Sequence, residues 1–141
     1  MYLVPITCLV FSYHSFYDAN QLGFGAGKAG LEFMLDNQVE AQVQRKAVIV
    51  DEFIRKEILP LDERLSHRGI GLMWGIDCSK LGGDAFSEAI VDTCFQKKLI
   101  IERAGRDSSV VKIMPPLVIE DELLVQGLQI VKEAFIEALK K

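Results

Sequence analysis

Apolar residues recur along this chain with two different periods, and the change of period divides it into elements. Between residues 20 and 34, Leu22, Ala26, Ala29 and Phe33 lie three or four apart, which predicts a helix with one apolar face. Its glycines lower helix propensity, so the segment is expected to depend on tight packing against neighbours. Asp36 and Asn37 interrupt it. Val39, Val43, Ala47, Val50, Ile54 and Ile58 then form the stripe of a second helix, which Pro60 ends. Glu40, Gln44, Arg45, Asp51 and Arg55 fall on its polar side.

The period next shortens to two. In RGIGLMWGID, residues 68–77, Ile70, Leu72, Trp74 and Ile76 alternate with Gly69, Gly71, Met73 and Gly75. One strand with a bulky face and a nearly bare face is expected, the bare face open to close approach by another element. Residues 81–83 read as a loop and Asp84 as an N-cap. Phe86, Ala89, Ile90, Thr93 and Cys94 supply the inner face of a third helix, with Lys97 and Lys98 at its C-terminal end. Residues 99–102 and 110–114 read as strands joined by the polar loop AGRDSS. In VVKIMPPLVIEDELL the last strand stops at Pro115, because proline cannot donate to a ladder. Glu120, Asp121 and Glu122 then open a final helix, where negative charge suits the helix dipole. That helix buries Leu124, Leu128, Val131, Phe135 and Leu139. The predicted fold class is therefore α+β, a small three-stranded sheet covered by helices.

Composition narrows the function classes. The chain has 141 residues, half of them hydrophobic and 26% charged, enough for one globular domain with its own core. A net charge of −4 gives no reason to expect nucleic acid or an anionic membrane as partner. Cys8, Cys78 and Cys94 are odd in number and widely spaced, and share no ligand spacing with His14 or His67. Neither a disulfide framework nor a metal site is expected, and reduced thiols in the cytoplasm are. MYLVPITCLVFSY lacks the basic start of a signal peptide and is too short for a membrane span, so residues 1–19 read as an apolar leader.

Few motifs carry chemistry. Gly25, Gly27 and Gly30 fit G-x-G-x-x-G, and Asp51 lies where a ribose-binding acid is expected. No strand runs into these glycines, and Leu22 and Ala29 stand where a P-loop needs glycine and a hydroxyl. A small-residue helix packed on its neighbours is the expected reading, and nucleotide binding the minor one. Arg68, Arg103 and Arg106 read as surface cations beside strands. Lys28 and Lys112 are the lysines with largely apolar sequence neighbours. Lys112 reads on position alone equally as a lysine on the exposed face of a sheet; the Pro-Pro elbow, which fixes the strand that carries it, raises the alternative of a positioned carboxylate binder.

RGIGLMWGID, KKLIIERAG and VVKIMPPLVIEDELLVQGLQIV together resemble the C-terminal small domain of class III pyridoxal-phosphate-dependent aminotransferases. ERAGR followed by VVKIMPPL most resembles the diaminobutyrate–2-oxoglutarate type, and NQLGFGAGKAGLEFM the helix after the family's H-x-G-T-F-x-G-N segment. The likeness covers residues 20–141. It implies a transaminase that moves an amino group between an amino acid and 2-oxoglutarate, with pyridoxal 5'-phosphate as cofactor and a homodimer as the full enzyme. Lys112 falls where many members carry the arginine that holds the substrate carboxylate, and Ser15 is the nearest counterpart of their phosphate-binding threonine. The Schiff-base lysine belongs to a region before the matching one. No catalytic residue is therefore assigned here, and this stretch is expected neither to bind the cofactor nor to transaminate alone. A non-catalytic packing or interaction module from a truncated gene product is the alternative expectation.

Overall fold

The computed structural model describes residues 21–140, and the leader expected over residues 1–19 lies outside them. The chain divides into two compact units, Met1–Glu40 and Ala41–Lys141.

In the first unit, helix α1 spans Gln21–Asp36 and has no buried residue. The expected helix is present, but its expected tight packing is not found among the described residues. Leu22 and Leu35 are 81% and 78% exposed, and a Cβ added at Gly25, Gly27 or Gly30 meets nothing within 4 Å. Lys28, read from the sequence as lying in apolar surroundings, is solvent-exposed and pairs with Glu32 one turn on, at 3.6 Å.

Helix α2, Val39–Phe53, runs on into the second unit and continues through a π-helical stretch, Ile54–Ile58, to a 3-10 turn, Leu59–Leu61, that holds Pro60. Strands β1, Ser66–Ile70, and β2, Met73–Asp77, follow, then helix α3, Asp84–Gln96. Strands β3, Glu102–Ala104, and β4, Val110–Ile113, lead to helix α4, Asp121–Ala138. The four strands form one antiparallel sheet in the order β1-β2-β4-β3.

Four strands replace the expected three because RGIGLMWGID is a hairpin. Gly71 takes φ +56° at the first position of a two-residue loop, the pattern of a II′ turn, in which glycine fits without a steric penalty. The reversal moves Ile70 from the expected inner face to solvent, at 77% exposure, while Trp74 and Ile76 stay inside. Gly69 is bare because the Trp74 ring lies across it: a Cβ there would stand 2.3 Å from Trp74 Cδ2. The indole N–H donates to the Gly71 carbonyl at 2.8 Å and the ring stacks on His67 at 5.6 Å. Strand β3 begins at Glu102, three residues later than expected. Ile100, counted as a strand residue, is 81% exposed.

One core lies between the helices and one face of the sheet. Val50, Ile54 and Ile58, Ile90 and Cys94, and Leu124, Leu128 and Phe135 pack against Ile76, Val111 and Ile113. The α3 surface differs in detail from expectation: Ser87 is buried, its hydroxyl donating to the carbonyls of Asp84 and Ser108. Asp84 is not the N-cap but the first helical residue, after Gly83. Its carboxylate pairs with Arg103 from β3. Among the described residues no helix is long and apolar enough to cross a membrane.

Candidate functional site

The open face of the sheet is built by strand alternation. Val111 and Ile113 point into the core and are buried, so Val110 and Lys112 point the other way. Residues directly opposite in a ladder share a face. Glu102 on β3 faces Lys112 on β4, Lys112 faces Gly75 on β2, and Gly75 faces Arg68 on β1. One row of side chains thus crosses all four strands, with a bare glycine in its middle. Met73 and Met114 flank it, 49% and 56% exposed.

Lys112 pairs with Glu102 across the sheet, the two side chains being 26% and 64% exposed. Pairing stops at once after this point. Pro115 and Pro116 follow Met114, and the Ile119 N–H closes a turn onto the Pro116 carbonyl at 3.0 Å before α4 begins. A cavity of about 320 Å³ opens beside the elbow, lined by Leu99, Ile101, Ile113, Leu124 and Leu128, with Lys112 and Glu102 among its lining.

A second set of side chains braces the elbow from α2. Arg45 grips the Asp121 carboxylate with both terminal guanidinium nitrogens, Nη2 reaching Oδ1 at 2.9 Å. That fork holds the Asp121 carboxyl below its ordinary range. Lys46 is buried, at 2% exposure, and donates to the Leu117 carbonyl at 3.3 Å. Sequence reasoning missed Lys46. Its position next to the Val43–Ala47–Val50 stripe was the available signal, but burial of a lysine depends on a carbonyl 71 residues away.

The other sequence candidates fall elsewhere. Ser15 lies outside the described residues. Arg103 is committed to Asp84 and, at 3.5 Å, Glu88. Arg106 sits in the β3–β4 loop, where Asp107 and Ser108 both adopt positive φ. Asp51, the candidate ribose acid, instead meets His67 Nε2 at 2.8 Å and Arg55 at 2.9 Å, which lower its pKa, His67 first. Burial pushes the Cys78 and Cys94 thiols up to about 12 and about 11, so neither is a nucleophile at neutral pH. Lys28 is in an exposed ion pair, Lys46 is buried against a carbonyl, and Lys112 is held by Glu102.

No protein-family model matches the chain. Individual relatives do. The chain is 36% identical, over 89% of its length, to a diaminobutyrate–2-oxoglutarate transaminase of Wolinella succinogenes. It is 39% identical, over 87% of its length, to one of Halomonas elongata. It spans only about 29–30% of the length of these relatives. Among solved structures, N-acetylornithine aminotransferase from Stenotrophomonas maltophilia superposes with a TM-score of 0.73 over 86% of this chain and 32% of its own, at 24% identity. A phospholyase from Arthrobacter, solved with phosphoethanolamine, gives 0.67 over 81% of this chain and 28% of its own, at 25% identity. The α+β fold described above is therefore one found in aminotransferases.

Proposed function

This chain is homologous to aminotransferases over nearly nine-tenths of its length, and from that premise we propose that it is the small-domain part of a pyridoxal-phosphate-dependent transaminase. The reaction moves an amino group between diaminobutyrate and 2-oxoglutarate. The observation that carries this reading is the similarity to transaminases of that name, 36–39% identical over most of the chain. Residues 20–141 correspond to the C-terminal small domain, and residues 1–19 precede it. The cofactor, which supplies an electron sink when bound, is held by polypeptide outside the described residues. We place the enzyme in the cytoplasm, a compartment that suits the buried free thiols Cys78 and Cys94, and assign it a homodimeric state.

Within this reading Lys112 binds a substrate carboxylate. Its strand is anchored in the sheet on both sides and ends on the Pro-Pro elbow, so the ammonium has a fixed origin on the open face. Glu102 neutralises it, and an entering carboxylate takes the place of Glu102. The exchange is open to substrate because Glu102 is mostly exposed and loses little by returning to water.

An exchange experiment tests the reading. The matching segment of the Halomonas elongata enzyme is replaced by residues 20–141, and transamination is assayed with cofactor present. Retained turnover is expected, and Lys112→Met in the chimera should raise KM for 2-oxoglutarate with a smaller change in kcat. A folded chimera with cofactor bound and no turnover overturns the transaminase reading. Unchanged kinetics for the Met variant removes Lys112 from it.

A further inference from the structure

Lys112 is a point charge where a planar carboxylate is best held by a two-pronged donor. The sheet places such a donor two strands away. Arg68 on β1 and Lys112 on β4 both face Gly75 on β2, so the two cations flank a position with no side chain. Adjacent strands lie ~4.8 Å apart, which sets the two Cα atoms at about 9–10 Å. That gap is short enough for two long, flexible side chains to converge above the glycine. A short dicarboxylate carries two charges to match two such cations.

Arg68 is also uncommitted. Arg45, Arg55, Arg64 and Arg103 each contact a carboxylate within 4 Å, while Arg68 has no ion pair among the described residues. It is exposed, and its charge lowers the Asp77 pKa on the same face, after the hydrogen bonds that Asp77 receives from Ser79. We infer that Arg68, Gly75 and Lys112 form a two-cation platform for a dicarboxylate, with Arg68 supplying the guanidinium fork that position 112 lacks. The inference rests on the reading of Lys112 given above and adds Arg68 as a substrate-binding residue that selects dicarboxylates over monocarboxylates. Gly75 is required bare: a Cβ there would meet Val110 Cγ1 at 2.8 Å and would fill the floor between the cations.

The test uses the 141-residue chain and glutarate, the dicarboxylate without a keto group, in a low-salt titration followed by amide and guanidinium NMR. The Gly75 amide and the Arg68 Nε are the reporters. Saturable shifts at both are expected, with butyrate binding more weakly. Arg68→Gln should weaken glutarate roughly tenfold, the loss of one charge-assisted contact, and Arg68→Lys should recover part of it. Unchanged Trp74 emission certifies that each variant is folded. No saturation by glutarate, or equal affinity for butyrate, overturns the platform. If Lys112→Met weakens binding and Arg68→Gln does not, Arg68 is excluded while the reading of Lys112 stands. If only Arg68→Gln weakens it, the reading of Lys112 fails and the two-cation site with it. A chimera that turns over while this chain ignores glutarate likewise keeps the transaminase reading and rejects the platform.

Discussion

Replacing Gly69 by alanine isolates the contact that shapes the β1–β2 hairpin. The added methyl would stand 2.3 Å and 2.5 Å from the Trp74 ring carbons Cδ2 and Cε3, and 2.6 Å from the Met73 carbonyl oxygen. Contacts that short do not occur, so the ring or the strand must move. If the backbone holds, the overlap is relieved by overpacking strain of about 1–3 kcal/mol. If the ring swings out, it forfeits the Nε1–Gly71 hydrogen bond, worth about 0.5–1.5 kcal/mol, and its stacking on His67. Some of both is expected, a destabilisation of about 2–4 kcal/mol. For a chain of this size that lowers Tm by roughly 6–20 °C. Trp74 is the single tryptophan, so its emission reports both the unfolding transition and the local environment. Gly27→Ala is the matched control. Its Cβ enters open space, and alanine favours a helix interior by up to about 1 kcal/mol, so α1 should be unharmed or firmer. A Gly69→Ala chain that unfolds within about 0.5 kcal/mol of the parent with unchanged emission, the scatter of ordinary surface changes, would refute the clash.

Two pH effects follow from the buried thiols and from Asp51. Cys78 and Cys94 are raised from an ordinary 9.0 to about 12 and about 11, so above pH 9 the unfolded chain loses thiol protons that the folded chain keeps. Stability should therefore fall with rising pH between 9 and about 12, by at most about 1.4 kcal/mol per pH unit for each thiol. Denaturant titrations of the parent and of a Cys78→Ala/Cys94→Ala chain should diverge in that window and run parallel below it; parallel curves throughout would show the thiols to be accessible. Asp51 behaves oppositely. Its pKa lies below 3.8 because His67 and then Arg55 hydrogen-bond its charged form, so its contribution is complete above 3.8 and is lost as pH falls through the depressed value. Asp51→Asn should remove that part of the acid transition, read through Trp74 beside His67, and an identical acid limb in both chains would contradict it.

The sequence by itself determined the helices and the last strand, because each is set by local periodicity and by residues whose backbone chemistry allows one outcome. Val50, Ile54 and Ile58 recur at helical spacing and are all fully buried. Pro115 and Pro116 end β4 wherever the rest of the chain lies, and Glu120 to Glu122 mark the start of α4. Lys112 was legible as a candidate from the same elbow. Three things were decided only in three dimensions. The hairpin was one, since RGIGLMWGID alternates equally well as a single strand, and what reverses it is a positive φ at Gly71 with Trp74 laid over Gly69. The commitments of the cations were another: Lys46 is buried and Arg103 neutralised by groups far off in sequence, and Arg68 shares a row with Lys112 only through a register that joins three strands. The third was the exposure of α1, whose apolar stripe promised packing that no described residue provides. Periodicity records which face of an element is apolar. It carries no information about what meets that face, because pairing register and charge partners are fixed by contacts between segments that only the folded chain brings together.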